Sequence, residues 1–371
     1  MKAKTLHSIR CSFFFCLSLI LGCGKSIPES SNFFLSNDYP EKLSDWNLVW
    51  LDGDSIKISE DSTVYKLNSS LFSDYASKLR TLRLPKGQAA VYEEHDSFVF
   101  PVGTIISKTF FYRSSDQHTV SLNNNWSGSP EDLTLNNTRL IETRLLVMQE
   151  TGWEALPYIW KGEDAYLTIT GDLKELTLAK TDENFFYQVP SKNQCSSCHT
   201  TNHSEGVLLP IGLKARHLNH SKTHYGENQL LHLQKNGQLT GLPNLAQAPQ
   251  LADYSDRSES LEARARAYLD INCAHCHNQK GSADTSALLL EYTDLEPRSY
   301  GRCKPPIATG RGSGGLLYSI VPGQAHESIM SFRLSSRDPA EMMPEIGRTL
   351  VHKEGVTLID KWINSMTGTC V

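Results

Sequence analysis

The sequence lacks a basic run, since no stretch of lysine and arginine stands out and the formal net charge of the 371 residues is −5. Proteins that bind nucleic acid carry basic patches that neutralise phosphate groups, so we expect no nucleic-acid partner. The apolar stretch FFFCLSLILG near the N-terminus is too short to span a bilayer, because it has about ten residues where a helix needs about 20. With 39% hydrophobic and 21% charged residues, the composition is that of a globular chain. Its length suffices for two or three domains.

Residues 1–22 have the pattern of a lipoprotein signal peptide. Lys2, Lys4 and Arg10 precede the apolar stretch, which ends in Ile-Leu-Gly and is followed by Cys23. This ending resembles the lipobox of bacterial lipoproteins, in which a lipid is attached to the cysteine after the cleavage site. We therefore predict an exported protein, periplasmic or associated with the outer membrane, with a lipid anchor at Cys23 to a bacterial membrane. The alternative is an ordinary signal peptide in which this cysteine has no role.

The remaining cysteines fall into two groups. Of the nine in the chain, two leave with the signal peptide and one is the predicted anchor. Four others form two Cys-x-x-Cys-His strings: the first string is CSSCH at 195–199 and the second string is CAHCH at 273–277. Cys303 and Cys370 are predicted to pair as a disulfide, because exported proteins seldom leave thiols free in an oxidising compartment. Two unrelated thiols are the alternative.

Each string has the spacing of a haem c attachment site. Two cysteines separated by two residues form thioether bonds with the porphyrin, and the histidine directly after them binds the iron as proximal ligand. We therefore predict two haem c groups, attached through Cys195, Cys198, Cys273 and Cys276, with iron bound by His199 and His277. A zinc site made by four cysteines or a redox dithiol is the alternative, but zinc requires no histidine after both pairs. His275, between the second pair, is interpreted as a spacer.

The sequence indicates a distal ligand for the second iron but favours none for the first. In EMMPEIGR, residues 341–348, Met343 directly precedes a proline in a polar loop, which is how many small cytochromes c present a thioether to iron. Met343 is therefore predicted to bind the second iron, with Met342 as the alternative. For the first iron no single ligand is favoured, and its sixth position could be open. The candidates are His203, His217, His220, His224 and Met148.

The predicted fold is α+β and multidomain, with an N-terminal mostly antiparallel β domain followed by a C-terminal all-α cytochrome c domain. Short apolar or alternating runs, separated by Asn, Asp, Gly and Pro clusters, favour strands in the first half. SLEARARAYLDI (260–271) and GVTLIDKWINSM (355–366) have helical periodicity. The predicted divisions are a signal peptide at 1–22, a linker at 23–39, the β domain at 40–190, a first haem-binding segment at 191–256 and a cytochrome c-like domain with the second haem at 257–371.

These features together resemble a family of bacterial exported diheme c-type cytochromes. The matching segments, within about residues 40–366, are YKLNSSLFSDYASKLRTLRLPKG, FPVGTIISKTF, ETRLLV, NQCSSCH, PIGLKARHLN, RARAYLDINCAHCH, GRGSGG, SIVPG and MMPEIGR. The resemblance implies an exported electron-transfer protein with two covalent haems. FPVGTIISKTF is also similar, more distantly, to a strand of β-sheet c-haem enzymes in which a lysine bonds to the porphyrin. That similarity implies such a role for Lys108, the alternative being an ordinary surface lysine.

The leading functional hypothesis is an electron carrier that exchanges electrons with redox partner proteins, since the redox chemistry would belong to the haems. One alternative is a diheme enzyme of peroxidase type with an open first haem. The strings start 78 positions apart and a long β segment precedes them, a layout unlike the usual diheme peroxidases. Another alternative is a haem-based binding or sensor module.

Overall fold

The computed structural model describes residues 30–371 except 115, 117, 122–125, 180, 201, 204 and 308. The predicted signal peptide at 1–22 and the predicted anchor Cys23 lie outside the described residues, as does the first part of the predicted linker. Over the described part of the chain, no helix combines the length and the apolar character needed to cross a bilayer.

Strands dominate the first half of the described chain. Sequences such as IISKTFFYRS and TRLIETRLLVMQ form long strands because β-branched and aromatic residues fit a pleated, half-buried surface. The strands are β1 (Val49–Asp52), β2 (Ser55–Ile58), β3 (Ser62–Val64), β4 (Ser77–Arg83), β5 (Ala90–Val91), β6 (Ile105–Ser114), β7 (Thr119–Ser121), β8 (Thr138–Gln149), β9 (Gly152–Lys161), β10 (Asp164–Leu167), β11 (Asp172–Leu178), β12 (Glu183–Val189) and β13 (Leu239–Thr240).

A curled nine-stranded sheet is the main architectural element of the described residues. Its strand order is β10-β9-β8-β6-β7-β11-β12, with β4 also beside β6 and β3 beside β4. Neighbouring strands are antiparallel except β7 and β11, which are parallel. β6 lies between β8 on one side and β4 on the other. Side chains alternate between the two faces of a strand, so Ile106 and Lys108 of β6 lie on one face and Ile105 on the other.

The helices are α1 (Lys192–His199), α2 (Ala215–Leu218), α3 (Gln229–Lys235), α4 (Leu261–Asn272), α5 (Ile329–Ser335) and α6 (Lys353–Ser365). α1 begins with a capping box: the Ser191 hydroxyl accepts from the Gln194 backbone N–H, and the Gln194 side chain accepts from the Ser191 N–H. Such caps contribute about 1 kcal/mol to helix stability. α4 packs closely on α6, since a Cβ added at Gly355 would lie 2.4 Å from the Tyr268 hydroxyl.

The predicted fold class is wrong. The described residues are mostly β, and the C-terminal region is not an all-α domain: α4, α5 and α6 cover less than a third of residues 257–371. Turns, short 3-10 segments and two isolated β-bridges, Arg302 with Ile320 and Tyr318 with Ser328, make up much of the rest. The physical reason lies between the two periodic segments, where GSADTS, EPRSYGRCKPP and GRGSGG supply glycine, proline and small polar residues that interrupt helices. The predicted domain boundaries stay a prediction.

Separate apolar clusters hold the two strings. One cluster covers the sheet face of Ile106 and includes Cys195 of α1. A second cluster lies around Ile105, on the other face. A third joins α4 to α6 through Tyr268 and Trp362, and Cys273 packs against it. The two strings are therefore placed by different parts of the core.

Candidate functional site

The first string forms the C-terminal half of α1, directly after the last long strand of the sheet. Cys195 is 7% exposed and packs into the sheet-face cluster. His199 ends the helix, and its Nδ1 lies 2.9 Å from the Leu209 carbonyl oxygen. A carbonyl only accepts, so Nδ1 carries the proton and Nε2 keeps its lone pair free for a metal. Burial, with the nearby Lys108 charge adding to its effect, lowers the pKa of His199 to about 3, so the imidazole is neutral.

The second string follows α4 and repeats this arrangement. Cys273 is the residue after the helix, and the His277 backbone N–H donates to its carbonyl at 2.9 Å. His277 Nδ1 lies 3.2 Å from the Leu288 carbonyl oxygen, which again leaves Nε2 free. Burial lowers the pKa of His277. Two histidines, each directly after a cysteine pair, are thus held in the tautomer that binds iron through Nε2.

A cavity of about 710 Å³, the second-string cavity, borders the second string. This volume is within the range of about 300–1,000 Å³ found for cofactor and ligand sites. Its lining is largely apolar and includes Leu269, Cys273, Cys276, His277, Leu288, Leu290, Met330, Leu334 and Met343. The predicted proximal histidine and the predicted distal methionine therefore face one cavity of suitable size.

Met343 is fixed by its backbone. Its N–H donates to the Arg333 carbonyl at 3.1 Å, and its carbonyl accepts from Arg348 Nη2 at 2.9 Å. Arg348 is 3% exposed and also donates to the carbonyls of Arg333, Ser336 and Leu350. Met342, the alternative ligand, is buried but does not line the cavity.

A second methionine, Met330 of α5, lines the same cavity and was missed by sequence reasoning. It occupies an apolar position of a helix without a proline-bearing loop, so the sequence carries no signal that separates it from core residues.

A smaller cavity of about 130 Å³, the first-string cavity, lies between α1 and the sheet face of Ile106. Its lining combines string residues with charged and polar side chains of the sheet. Among them are Tyr65, Arg80, Lys108, Arg144, Cys195, Cys198, His199 and His275. Lys108, given a role only by distant similarity, therefore borders the first string rather than open solvent.

The distal ligands considered for the first iron are elsewhere. His217 Nε2 lies 3.0 Å from a carboxylate oxygen of Asp270, and His220 Nε2 lies 3.0 Å from the Lys66 carbonyl oxygen. The remaining candidates do not line the first-string cavity either. His203 lines the second-string cavity, His224 packs on Tyr225, and Met148 packs against the core cluster of Ile106.

His275, between the two cysteines of the second string, lies between the two cavities. It lines both cavities and is 8% exposed, and no described residue is a hydrogen-bond partner of its Nδ1. The interpretation of His275 as a spacer between the two cysteines stays a prediction. Of the side chains that line the first-string cavity, His275 and Lys108 have nitrogen atoms able to bind iron once His199 is taken as the proximal ligand.

The two strings are in contact. The Cys276 thiol donates to the Ser197 carbonyl oxygen of the first string, with 3.6 Å between Sγ and the oxygen. Cys198, Asn272, His275, Pro344 and Ile346 line both cavities. The four string cysteines are unpaired, and over the described residues no three His, Cys, Asp or Glu side chains converge on a point where they could hold a metal ion.

Cys303 and Cys370 form a disulfide that joins the C-terminus to the chain 67 residues earlier. The neighbouring Lys304 lines the second-string cavity, so the bridge ties the C-terminal residues to the wall of that cavity.

The second-string residues fit haem c on observations independent of the motif itself. A neutral histidine with a free Nε2, two unpaired thiols and a mainly apolar cavity of cofactor size meet there. At the first string, a neutral histidine and two unpaired thiols border the smaller cavity of about 130 Å³. Comparison of the chain with protein-family models, with curated proteins and with solved structures gives no match. The functional assignment therefore depends on the geometry of this site.

Proposed function

We propose that this chain is an exported diheme c-type cytochrome that carries electrons between redox partner proteins. The observation that supports it best is the paired arrangement of His199 and His277. Each follows a Cys-x-x-Cys pair, donates a hydrogen bond from its Nδ1–H to a backbone carbonyl and borders a cavity. In this proposal Cys195 and Cys198 hold the first haem, and Cys273 and Cys276 hold the second. A lipid at Cys23 anchors the protein to a bacterial membrane.

Haem iron bound at these sites supplies one-electron redox chemistry. The chain contributes neutral imidazole ligands, because the carbonyls of Leu209 and Leu288 fix the histidine tautomers. It also contributes a mainly apolar cavity surface around the second string, to which four leucine and two methionine side chains belong. Burial of this kind tunes redox potential by excluding water.

The contact between the strings favours a carrier over two independent sites. Because Cys276 Sγ lies 3.6 Å from the Ser197 carbonyl oxygen, the attachment points of the two haems are adjacent. Electrons that enter at one haem would need only a short path to the other.

Met343 favours the same function. A thioether ligand would stabilise ferrous iron and raise the reduction potential of the second haem, which suits an electron carrier. Arg348 holds the Met343 carbonyl, so the ligand loop is positioned by buried hydrogen bonds rather than by haem alone.

The test is a reductive titration of the haem-loaded, exported protein, followed by absorption spectroscopy. A carrier takes up two electrons per chain, returns both to an oxidant and shows no steady peroxide turnover with an added electron donor. Sustained peroxide turnover would contradict the carrier assignment and favour the peroxidase-type alternative. A spectral response to carbon monoxide without electron exchange would favour the sensor alternative.

A further inference from the structure

Three cations form a row across adjacent strands of the sheet. In the antiparallel register, Arg80 of β4 lies opposite Lys108 of β6, and Lys108 lies opposite Arg144 of β8. Residues in register across neighbouring strands have side chains on the same face. All three side chains line the first-string cavity, and we call them the cation row.

The charges of the cation row are poorly compensated. Arg80 is 6% exposed, and no described residue forms a hydrogen bond or ion pair with its guanidinium. Lys108 Nζ lies 5.2 Å from the centre of the Phe110 ring, and no carboxylate of the described chain is within ion-pair distance of it. Within the row, Arg144 has a carboxylate partner, because its Nε and Nη2 both donate to Glu142.

A neighbouring buried cation does have hydrogen-bond partners within the chain. Lys78, two residues before Arg80 on β4, donates to the carbonyls of Leu71 and Ala76 and does not line the cavity. Glu142 is fully buried and also accepts from the Tyr187 hydroxyl at 2.7 Å, so its charge is already shared. Burying a charge without a partner is expensive, so an anion bound at the row would stabilise it.

We propose that the cation row binds a carboxylate or small oxoanion in the first-string cavity. The Arg80 guanidinium beside the Lys108 ammonium suits this chemistry, because arginine donates to carboxylate in bidentate geometry and lysine adds a point charge. Arg144 adds positive charge, although its own fork is bound to Glu142. A volume of about 130 Å³ admits one such group or one arm of a larger ligand; an engineered cavity of about 150 Å³ binds a molecule the size of benzene. The inference rests on the proposed function, because both possible sources of the anion involve the first haem. It is either a propionate of the first haem or a free anion that enters beside that iron.

The experiment uses the haem-loaded full chain, with formate as the free-anion probe and Arg80→Gln as the main variant. Lys86→Gln is the matched control, because it removes an exposed cation from the loop after β4. Lys108→Gln is a second variant that removes a cation from the row and keeps the test valid where Arg80→Gln fails to fold. The readouts are the midpoint potential of each haem and the change in the Soret band on addition of formate.

If the anion is a propionate, Arg80→Gln or Lys108→Gln lowers one midpoint potential relative to Lys86→Gln, because a positive charge near ferric iron is lost. Formate then leaves the wild-type spectrum unchanged. If the anion is free, formate shifts the wild-type Soret band to saturation, and the row variants weaken its affinity about tenfold or more.

The inference is overturned if the wild type does not respond to formate and the row variants keep both potentials of the control. A chain that carries no haem at all refutes the proposed function instead. In that case calorimetric titration of the wild type with formate, compared with Lys108→Gln, still decides whether the row binds an anion.

Discussion

Replacing Met343 with alanine removes the only atoms of that residue that can reach an iron in the second-string cavity. The effect on folding is expected to be small, because the side chain is partly exposed and already borders a cavity of about 710 Å³. Truncating a fully buried methionine costs about 2–5 kcal/mol, so we expect a loss at or below the lower end, about 2 kcal/mol. The effect on the haem is expected to be large, because a ligand that stabilises ferrous iron is lost.

The adjacent residue provides the control. Met342 is 6% exposed and does not line the cavity, so Met342→Ala should cost about 2–5 kcal/mol in the free energy of unfolding but keep the wild-type spectrum. Met343→Ala should show the reverse: nearly wild-type stability, a high-spin fraction in the absorption spectrum and a lower midpoint potential for one haem.

Absorption spectra in both oxidation states and urea unfolding measure these outcomes. A wild-type spectrum for Met343→Ala would refute the assignment of this ligand. If Met330→Ala then produced the high-spin fraction, the distal thioether would belong to α5 instead of the loop.

Three further predictions concern the residues that support the site. Arg348→Gln should loosen the Met343 loop and give a mixture of low-spin and high-spin iron, because the buried guanidinium holds four carbonyls; a purely low-spin spectrum would contradict this role. Burial opposes ionisation of Asp270, but the Arg216 charge and hydrogen bonds from His217 and Arg216 outweigh it and lower the pKa of Asp270 well below its usual range. The stabilisation is therefore present above the unfolded-state pKa of about 3.9 and is lost as the pH falls below it. Asp270→Asn should cost about 3 kcal/mol at pH 7 and flatten the loss of stability below pH 4, as measured by denaturant unfolding; a variant as stable as the wild type would contradict this. Changing Cys303 and Cys370 to serine should lower the free energy of unfolding by about 4 kcal/mol, given the 67-residue separation, with both haems retained. Loss of a haem in that variant would mean that the bridge is needed for haem attachment.

Local chemistry in the sequence anticipates much of the site. The positions of His199 and His277 after their cysteine pairs, and of Met343 before a proline, are encoded within a few residues, and the structure brings His277 and Met343 to one cavity. The helical segment 260–271 and the apolar stripe of α6 also follow from local periodicity.

What the sequence hides depends on contacts between distant segments. The three cations of the row are separated by 28 and 36 positions, and only the register of β4, β6 and β8 aligns them. His275 becomes a candidate ligand for the first iron only because the two strings meet, which no local pattern encodes. The prediction of an all-α C-terminal domain is wrong because it joins two helical segments across a stretch whose glycines and prolines favour irregular structure.

The most direct test of the central claim is a count of covalently attached haem on the exported chain, by intact mass and by absorption of the pyridine complex. The account predicts two haems in the wild type, one when Cys195 and Cys198 are both alanine, one when Cys273 and Cys276 are both alanine, and two in the control Ser196→Ala. A wild-type chain that carries no covalent haem, or one that holds zinc through these cysteines, would contradict it.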